Sequence, residues 1–307
     1  MHKILIADRI HDEGINILRN EGFFVDVRAG ITRDELLNII NQYDAIIVRS
    51  RTKVDREIIE RGTKLKVIAR AGVGIDNIDV NAAKEKGIVV INSPEGPSRS
   101  VAELVIAFIF SLLREIPHAD ASMKEGKWIK KELIGHEIKD KVLGIIGFGR
   151  IGQEVAKLAK ALGMKVLAYD VIDIGPYCKR VGASQVDINY LLSDADIITL
   201  HIPLTDKTRG IINKDFIKKM KKGVYLINTA RGGIIDNEAL LWGLEQGYFS
   251  GVALDVFSEE PPKSEILQKI VKHPKVICTP HIGANTEEAL RNNSLIVAQK
   301  IIKLLKA

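Results

Sequence analysis

Residues 142–152 read VLGIIGFGRIG, a short apolar run closed by three glycines at the spacing G-x-G-x-x-G. Gln153 to Leu162 then place apolar residues at Val155, Leu158, Ala159 and Leu162, the 3.6-residue period of a helix. Strand, glycine turn and helix give the spacing its meaning, since the glycines alone recur by chance in turns. Gly147 permits a tight turn, Gly149 lets a pyrophosphate approach the backbone, and Gly152 lets helix and strand pack closely. The helix start, at Arg150 and Ile151, aims its N–H groups at the anion. The next strand, KVLAYD (165–170), ends in Asp170, where a carboxylate accepts both ribose hydroxyls and repels a 2′-phosphate. No arginine follows in Val171, Ile172 or Asp173, so NAD is expected rather than NADP.

Outward from this unit the same rhythm fills the chain. On the N-terminal side, KILIAD (3–8), FVDVR (24–28), AIIVRS (45–50), KVIARA (66–71) and IVVIN (88–92) read as buried parallel strands alternating with helical patterns. Thr32 with Glu35 forms a capping-box signal. A single long helical pattern runs from Ser98 to about Gly126. On the C-terminal side follow ADIITLH (195–201), VYLIN (224–228), GVALDVF (251–257) and KVICTP (275–280). After Pro280 only one helical pattern remains, Thr286 to Leu305, which cannot form a domain. The fold class is therefore α/β, with two doubly wound parallel-sheet domains. A Rossmann domain, 97–284, is inserted into a discontinuous flavodoxin-like substrate domain, 1–96 plus 285–307.

Composition excludes several classes. With 46% hydrophobic and 27% charged residues, the chain has the makeup of a globular protein rather than a disordered one. The most apolar stretch, LVIAFIFSLL (104–113), is too short to cross a bilayer, and an acidic residue already at position 8 argues against a signal peptide. No membrane association and a cytoplasmic location are expected. The net charge of +6 comes from lysines and arginines scattered among acids, not from a basic stripe. It suits attraction of a small anion better than nucleic-acid binding. Cys178 and Cys278 stand alone and read as structural; no metal site is expected.

In open α/β sheets ligands bind beyond the carboxyl ends of strands. After ADIITL comes His201-Ile202-Pro203; after VYLIN come Thr229, Ala230 and Arg231; after GVAL come Asp255 and Glu260; after VICT come His281, Gly283 and Ala284. Arg231, followed by two glycines, offers a planar fork that matches a carboxylate. His281 can move an alcohol proton near neutral pH, and Glu260 can hydrogen-bond it and raise its pKa. An arginine, a glutamate and a histidine beside a nicotinamide suggest hydride transfer on a 2-hydroxy acid, without a metal.

The G-x-G-x-x-G turn, Asp170, NTARGG (228–233), DVFSEEP (255–261) and TPHIGA (279–284), in this order, resemble the D-isomer-specific 2-hydroxyacid dehydrogenase family over the whole chain. The resemblance implies Arg231, Glu260 and His281 as the catalytic set. It implies NAD contacts from Arg150, Ile151, Asp170, Ile202, Thr229 to Arg231, Asp255 and His281 to Ala284. It also implies a homodimer through the cofactor domain, with an arm around Trp128 crossing to the partner. RAGVGIDN (70–77) resembles the family's carboxylate loop, with backbone N–H groups at Val73 and Gly74. Arg49-Ser50-Arg51 resembles a motif that receives a substrate phosphate, so a phosphorylated 2-hydroxy acid is expected. Glyoxylate or hydroxypyruvate reduction, which uses the same catalytic residues, is the alternative; an NAD-sensing corepressor is a remote one. Pro97 stands where many members have asparagine. The chain stops at Ala307, so feedback through the regulatory domains of longer members is not expected.

Overall fold

The computed structural model describes residues 1–306 and divides into two compact units, residues 1–100 with 284–307, and residues 101–283. The first unit holds strands β1 (Lys3–Ile6), β2 (Phe24–Val27), β3 (Ala45–Val48), β4 (Val67–Arg70) and β5 (Val89–Asn92). They form one parallel sheet in the order β2-β1-β3-β4-β5. Its strands are short and apolar because helices cover both faces. Ile4, Ile6, Ile47 and Ala69 pack on one side, and Leu5, Ile46, Val48 and Ile68 on the other. Order reverses between β1 and β3, the topological switch point of this sheet. The Thr32 capping box forms as expected, on a helix Arg33–Ile39.

The last helix, Glu287–Lys306, belongs to this unit and lies along Asp12–Asn20. Their approach is close: a Cβ on Gly14 would stand 2.9 Å from Ser294 Cβ, and Arg291 pairs with Glu13 at 2.7 Å. Thr286 caps the helix by accepting from Ala289 N–H.

The second unit holds β6 (Val142–Ile146), β7 (Lys165–Tyr169), β8 (Ser184–Gln185), β9 (Ile197–Leu200), β10 (Val224–Asn228), β11 (Phe249–Leu254) and β12 (Val276–Cys278). All pairings are parallel, in the order β12-β11-β10-β9-β6-β7-β8. This is the doubly wound dinucleotide-binding arrangement with one extra strand at the β12 edge. Strand β8, only two residues long, carries no apolar run and gave no sequence signal. Strand β11 starts two residues before the expected GVALDVF and stops at Leu254, which frees Asp255 for the loop beyond.

The long helix expected from Ser98 to Gly126 is two helices, Ser98–Leu113 and Ile116–Lys124. Glu115 adopts a left-handed conformation at φ 49°, and Pro117 in the first turn of the second helix has no N–H to continue the first. The apolar pattern continues across the break, which hides it from periodicity. No described helix is long and apolar enough to cross a membrane. Both cysteines are free: Cys178 is buried, and burial raises both thiols, Cys278 to about 11.

Candidate active site

The glycine turn is shaped by contacts as much as by torsions. Gly147 sits at φ +93°, and a Cβ there would stand 2.6 Å from the His201 backbone. A Cβ on Gly152 would meet Gly147 O at 2.4 Å, so helix and strand touch through bare backbone. Around Gly149 no heavy atom lies within 4 Å of a Cβ position, which leaves open the side a pyrophosphate would approach. Asp170 accepts from Phe148 N–H at 2.8 Å and Val171 N–H at 2.7 Å, which fixes its carboxylate at the end of β7. Thr229 Oγ1 is buried without a hydrogen-bond partner among the described residues. An orphaned hydroxyl at the carboxyl end of β10, in the sheet whose β6 runs into an open glycine turn, is what a missing polar ligand leaves behind. These features fit NAD. His201 pairs with Thr199 Oγ1 at 3.0 Å, and burial lowers it to about 3, so it stays neutral.

Arg231 is presented by a turn that Asn228 closes from beneath. Fully buried Asn228 accepts from Ala230 N–H at 3.0 Å and donates to Arg231 O at 2.9 Å. The Arg231 guanidinium donates to Ala230 O at 2.7 Å, and its charge acts on both Glu260 and His281. Ends of β10, β11 and β12 thus bring the three expected catalytic residues together.

His281 Nδ1 lies 2.8 Å from Glu260 Oε2. A carboxylate only accepts, so Nδ1 carries the proton and Nε2 is left to face a substrate oxygen. The hydrogen bond to Glu260 raises the His281 pKa; burial opposes it, Asp255 adds to it and Arg231 subtracts. Burial pushes Glu260 upward, but hydrogen bonds from His281 and Phe257 N–H outweigh it and hold the carboxyl below its ordinary value. His281 itself adopts φ 55°, a conformation that costs a non-glycine residue of order 1–3 kcal/mol.

The strain is held by Asp255, a residue expected to touch the cofactor. At 1% exposure it accepts from Thr279 Oγ1 at 2.6 Å, Ile282 N–H at 2.7 Å and Gly283 N–H at 2.8 Å. Those bonds clamp both sides of His281. A cavity of about 450 Å³, walled by Phe257, Pro261, Pro262 and Cys278, lies against the Glu260–His281 pair. Gly232 follows a different logic from the torsional freedom its sequence context suggests. A Cβ there would stand 1.9 Å from the Phe257 carbonyl carbon, so the arginine turn and the Glu260 loop touch backbone to backbone.

In the first unit the expected phosphate motif divides. Arg51 is committed: its guanidinium donates to Asp8 Oδ1 at 3.0 Å and to the carbonyls of Ala7 and Ile31 at 3.1 Å. Asp8, 4% exposed, also accepts from Arg49 N–H, Thr52 N–H and Thr52 Oγ1, while Asn77 donates to the carbonyls of Arg49 and Thr52. Sequence reading missed Asp8 and Asn77; an acid directly after an apolar strand was the available signal. Ser50 is exposed. Val73 is 36% exposed, and its carbonyl accepts from Asn92 at 2.6 Å; Gly74 follows it on the same loop. Among the described residues, no group of three His, Cys, Asp or Glu could hold a metal.

Residues 106–283 match the family model for the D-isomer specific 2-hydroxyacid dehydrogenase, NAD binding domain. The chain belongs to the D-isomer specific 2-hydroxyacid dehydrogenase family, and its second unit is the NAD-binding domain. A D-3-phosphoglycerate dehydrogenase of Methanocaldococcus jannaschii is 50% identical over 100% of this chain and 58% of its own length. A hydroxypyruvate reductase of Thermotoga maritima is 47% identical over 99% of this chain and 98% of its own. A glyoxylate reductase of Paecilomyes thermophila superposes with a TM-score of 0.86 at 31% identity, covering 98% of this chain and 94% of that one. The chain spans little more than half the length, 54–58%, of three phosphoglycerate dehydrogenases it matches.

Proposed function

We propose that this chain carries the oxidation of D-3-phosphoglycerate to 3-phosphohydroxypyruvate, an entry step to serine synthesis. The Glu260–His281 pair beside Arg231 supports the chemistry. Relatives named D-3-phosphoglycerate dehydrogenase, 46–50% identical over nearly the whole chain, support the substrate. Arg231 binds the substrate carboxylate and so orients C2. His281 Nε2 takes the hydroxyl proton as the C–O bond becomes a carbonyl, and Glu260 stabilises the imidazolium that results. NAD, when bound, accepts the hydride that leaves C2. Thr229 and Asp170 hold the cofactor.

The full-length match to a hydroxypyruvate reductase favours a second reading, reduction of an unphosphorylated 2-oxo acid. Initial rates decide between them: NAD with D-3-phosphoglycerate, against NADH with glyoxylate, hydroxypyruvate and pyruvate. The proposal expects 3-phosphoglycerate, and its oxidised product in reverse, to have the highest kcat/KM. If the unphosphorylated acids are turned over as well or better, the second reading holds.

NAD should be preferred to NADP, and Asp170→Ala should erode that preference by roughly one to two orders of magnitude. That is the worth of one or two hydrogen bonds to a carboxylate. A ratio of kcat/KM for the two cofactors that Asp170→Ala leaves unmoved would remove Asp170 from the ribose. The same proposal includes a homodimer through the cofactor unit and a cytoplasmic location. The dimer is supported by Trp128 and Ile134, 77% and 80% exposed.

A further inference from the structure

Glu260 reaches His281 from the loop between β11 and helix Glu265–Val271, and the two partners are not held alike. Asp255 clamps the chain on both sides of His281, so the 2.8 Å contact depends on where the loop sets the carboxylate. The near end of that loop is pinned by backbone: Phe257 lies against Gly232 and donates its N–H to Glu260 Oε1 at 3.1 Å. Asn237 adds a 2.8 Å hydrogen bond to the Ser258 hydroxyl. The far end is Pro261-Pro262, which brings no N–H to any hydrogen bond. Both prolines line the cavity of about 450 Å³ together with Val271, Cys278 and His281, so on that side they face open volume rather than packed side chains. A carbonyl provides the hold: Gln268 Nε2 donates to Pro262 O at 2.6 Å. Leu267 and Ile270, 2% and 0% exposed, root the Gln268 helix in the core and keep the donor in place.

We propose that Gln268 is a positioning residue for the reaction: by holding the Pro262 carbonyl it keeps the far end of the loop from shifting into the cavity and so keeps Glu260 within hydrogen-bonding reach of His281. Without the donor the prolines can move toward the open volume, and Glu260, joined directly to Pro261, moves with them. A carboxylate displaced by an ångström loses its bond to Nδ1. The charged groups that act on His281 are Glu260, Asp255 and Arg231, and the Glu260 hydrogen bond has the largest effect. Cys278, on the same cavity wall, is a neutral thiol that burial raises to about 11. Loss of the Glu260 bond therefore lowers the His281 pKa toward its ordinary value and leaves the imidazolium formed during oxidation less stabilised. The inference rests on the reading of His281 as base and Glu260 as its partner, and is independent of which 2-hydroxy acid is oxidised.

Gln268→Met, close to glutamine in length and without a donor, tests it in the full chain. The acid limb of kcat/KM for oxidation should move to lower pH, in the same direction as in Glu260→Gln and by less. Plateau kcat should drop about three- to tenfold, the worth of one neutral hydrogen bond, while KM for the substrate hardly changes. In the Glu260→Gln background the same substitution should move the limb no further, a non-additivity that a general loss of stability does not produce. Asn237→Ala should leave the limb in place, because the near end keeps its contact with Gly232. A limb moved as far by Asn237→Ala as by Gln268→Met would mean that the loop as a whole fixes Glu260, and the assignment to Gln268 fails. It fails equally if Gln268→Met lowers the melting temperature but leaves the limb and kcat unchanged. An NMR titration of the His281 ring, its signal identified by its loss in His281→Ala, reads the same shift without turnover. If Glu260→Gln itself leaves the kinetic limb unmoved, the reading of the pair fails, and the ring titration of Gln268→Met then decides the role of Gln268 alone.

Discussion

His281→Ala is expected to lower kcat by roughly two to four orders of magnitude, the usual worth of a positioned general base, while KM for NAD stays near its starting value. The imidazole reaches the substrate through Nε2 because Nδ1 is engaged by Glu260 at 2.8 Å. Removing the ring therefore removes the proton acceptor and leaves Arg231 in place. Stopped-flow or steady-state rates on the folded variant check this, and near-normal turnover would strip His281 of its acid–base role. The pH dependence sharpens the assignment. Oxidation needs neutral His281, and its pKa lies above the ordinary 6.5. kcat/KM for oxidation should therefore fall as pH drops through that raised value. Reduction needs the imidazolium and should fall as pH rises through it. Glu260→Gln takes away the largest cause of the shift, so both limbs should move to lower pH together. Limbs that stay where they were would show that another residue titrates.

What the sequence disclosed and what it withheld follow from the range of the interactions involved. The Gly147–Gly152 turn and Asp170 were legible because strand, turn, helix and the next strand end lie within thirty residues and obey local periodicity. The Glu260–His281 pair was legible as chemistry, since a loop histidine and a loop carboxylate at neighbouring strand ends leave few partners for either. The division between Arg49 and Arg51 was not legible. It is made by Asp8, more than forty residues upstream, which binds the side chain of one and only the backbone of the other. Asp255 was placed correctly at a strand end, yet its spatial role as the clamp on His281 depends on Thr279, Ile282 and Gly283. The break at Glu115 stayed hidden because an apolar stripe can run through two helices as easily as one.

Gly232→Ala should be the most damaging single-methyl change in the site. The position shows no positive φ, so alanine meets no torsional obstacle; the obstacle is Phe257, whose carbonyl carbon, carbonyl oxygen and following amide would lie 1.9, 2.2 and 2.3 Å from the new Cβ. Backbone cannot rotate away as a side chain can, so one loop must move by more than an ångström. Overpacking of this kind costs about 1–3 kcal/mol or more in stability. The functional loss should exceed the stability loss, because the two loops forced apart are the ones that carry Arg231 and Glu260. A displacement near 1 Å in such a constellation costs on the order of a hundredfold in rate. kcat/KM for the substrate should therefore fall about a hundredfold in protein that still melts cooperatively. NAD binding should be less affected, because its glycine turn and Asp170 lie across the sheet at β6 and β7. Gly233→Ala is the control: the nearest atoms to its Cβ belong to the side chains of Leu204, at 3.1 Å, and Arg209, at 3.6 Å, and side chains can shift. Equal activity in the two variants would mean that the approach at Phe257 yields easily, and that the closeness of these loops is not what sets Arg231 against Glu260.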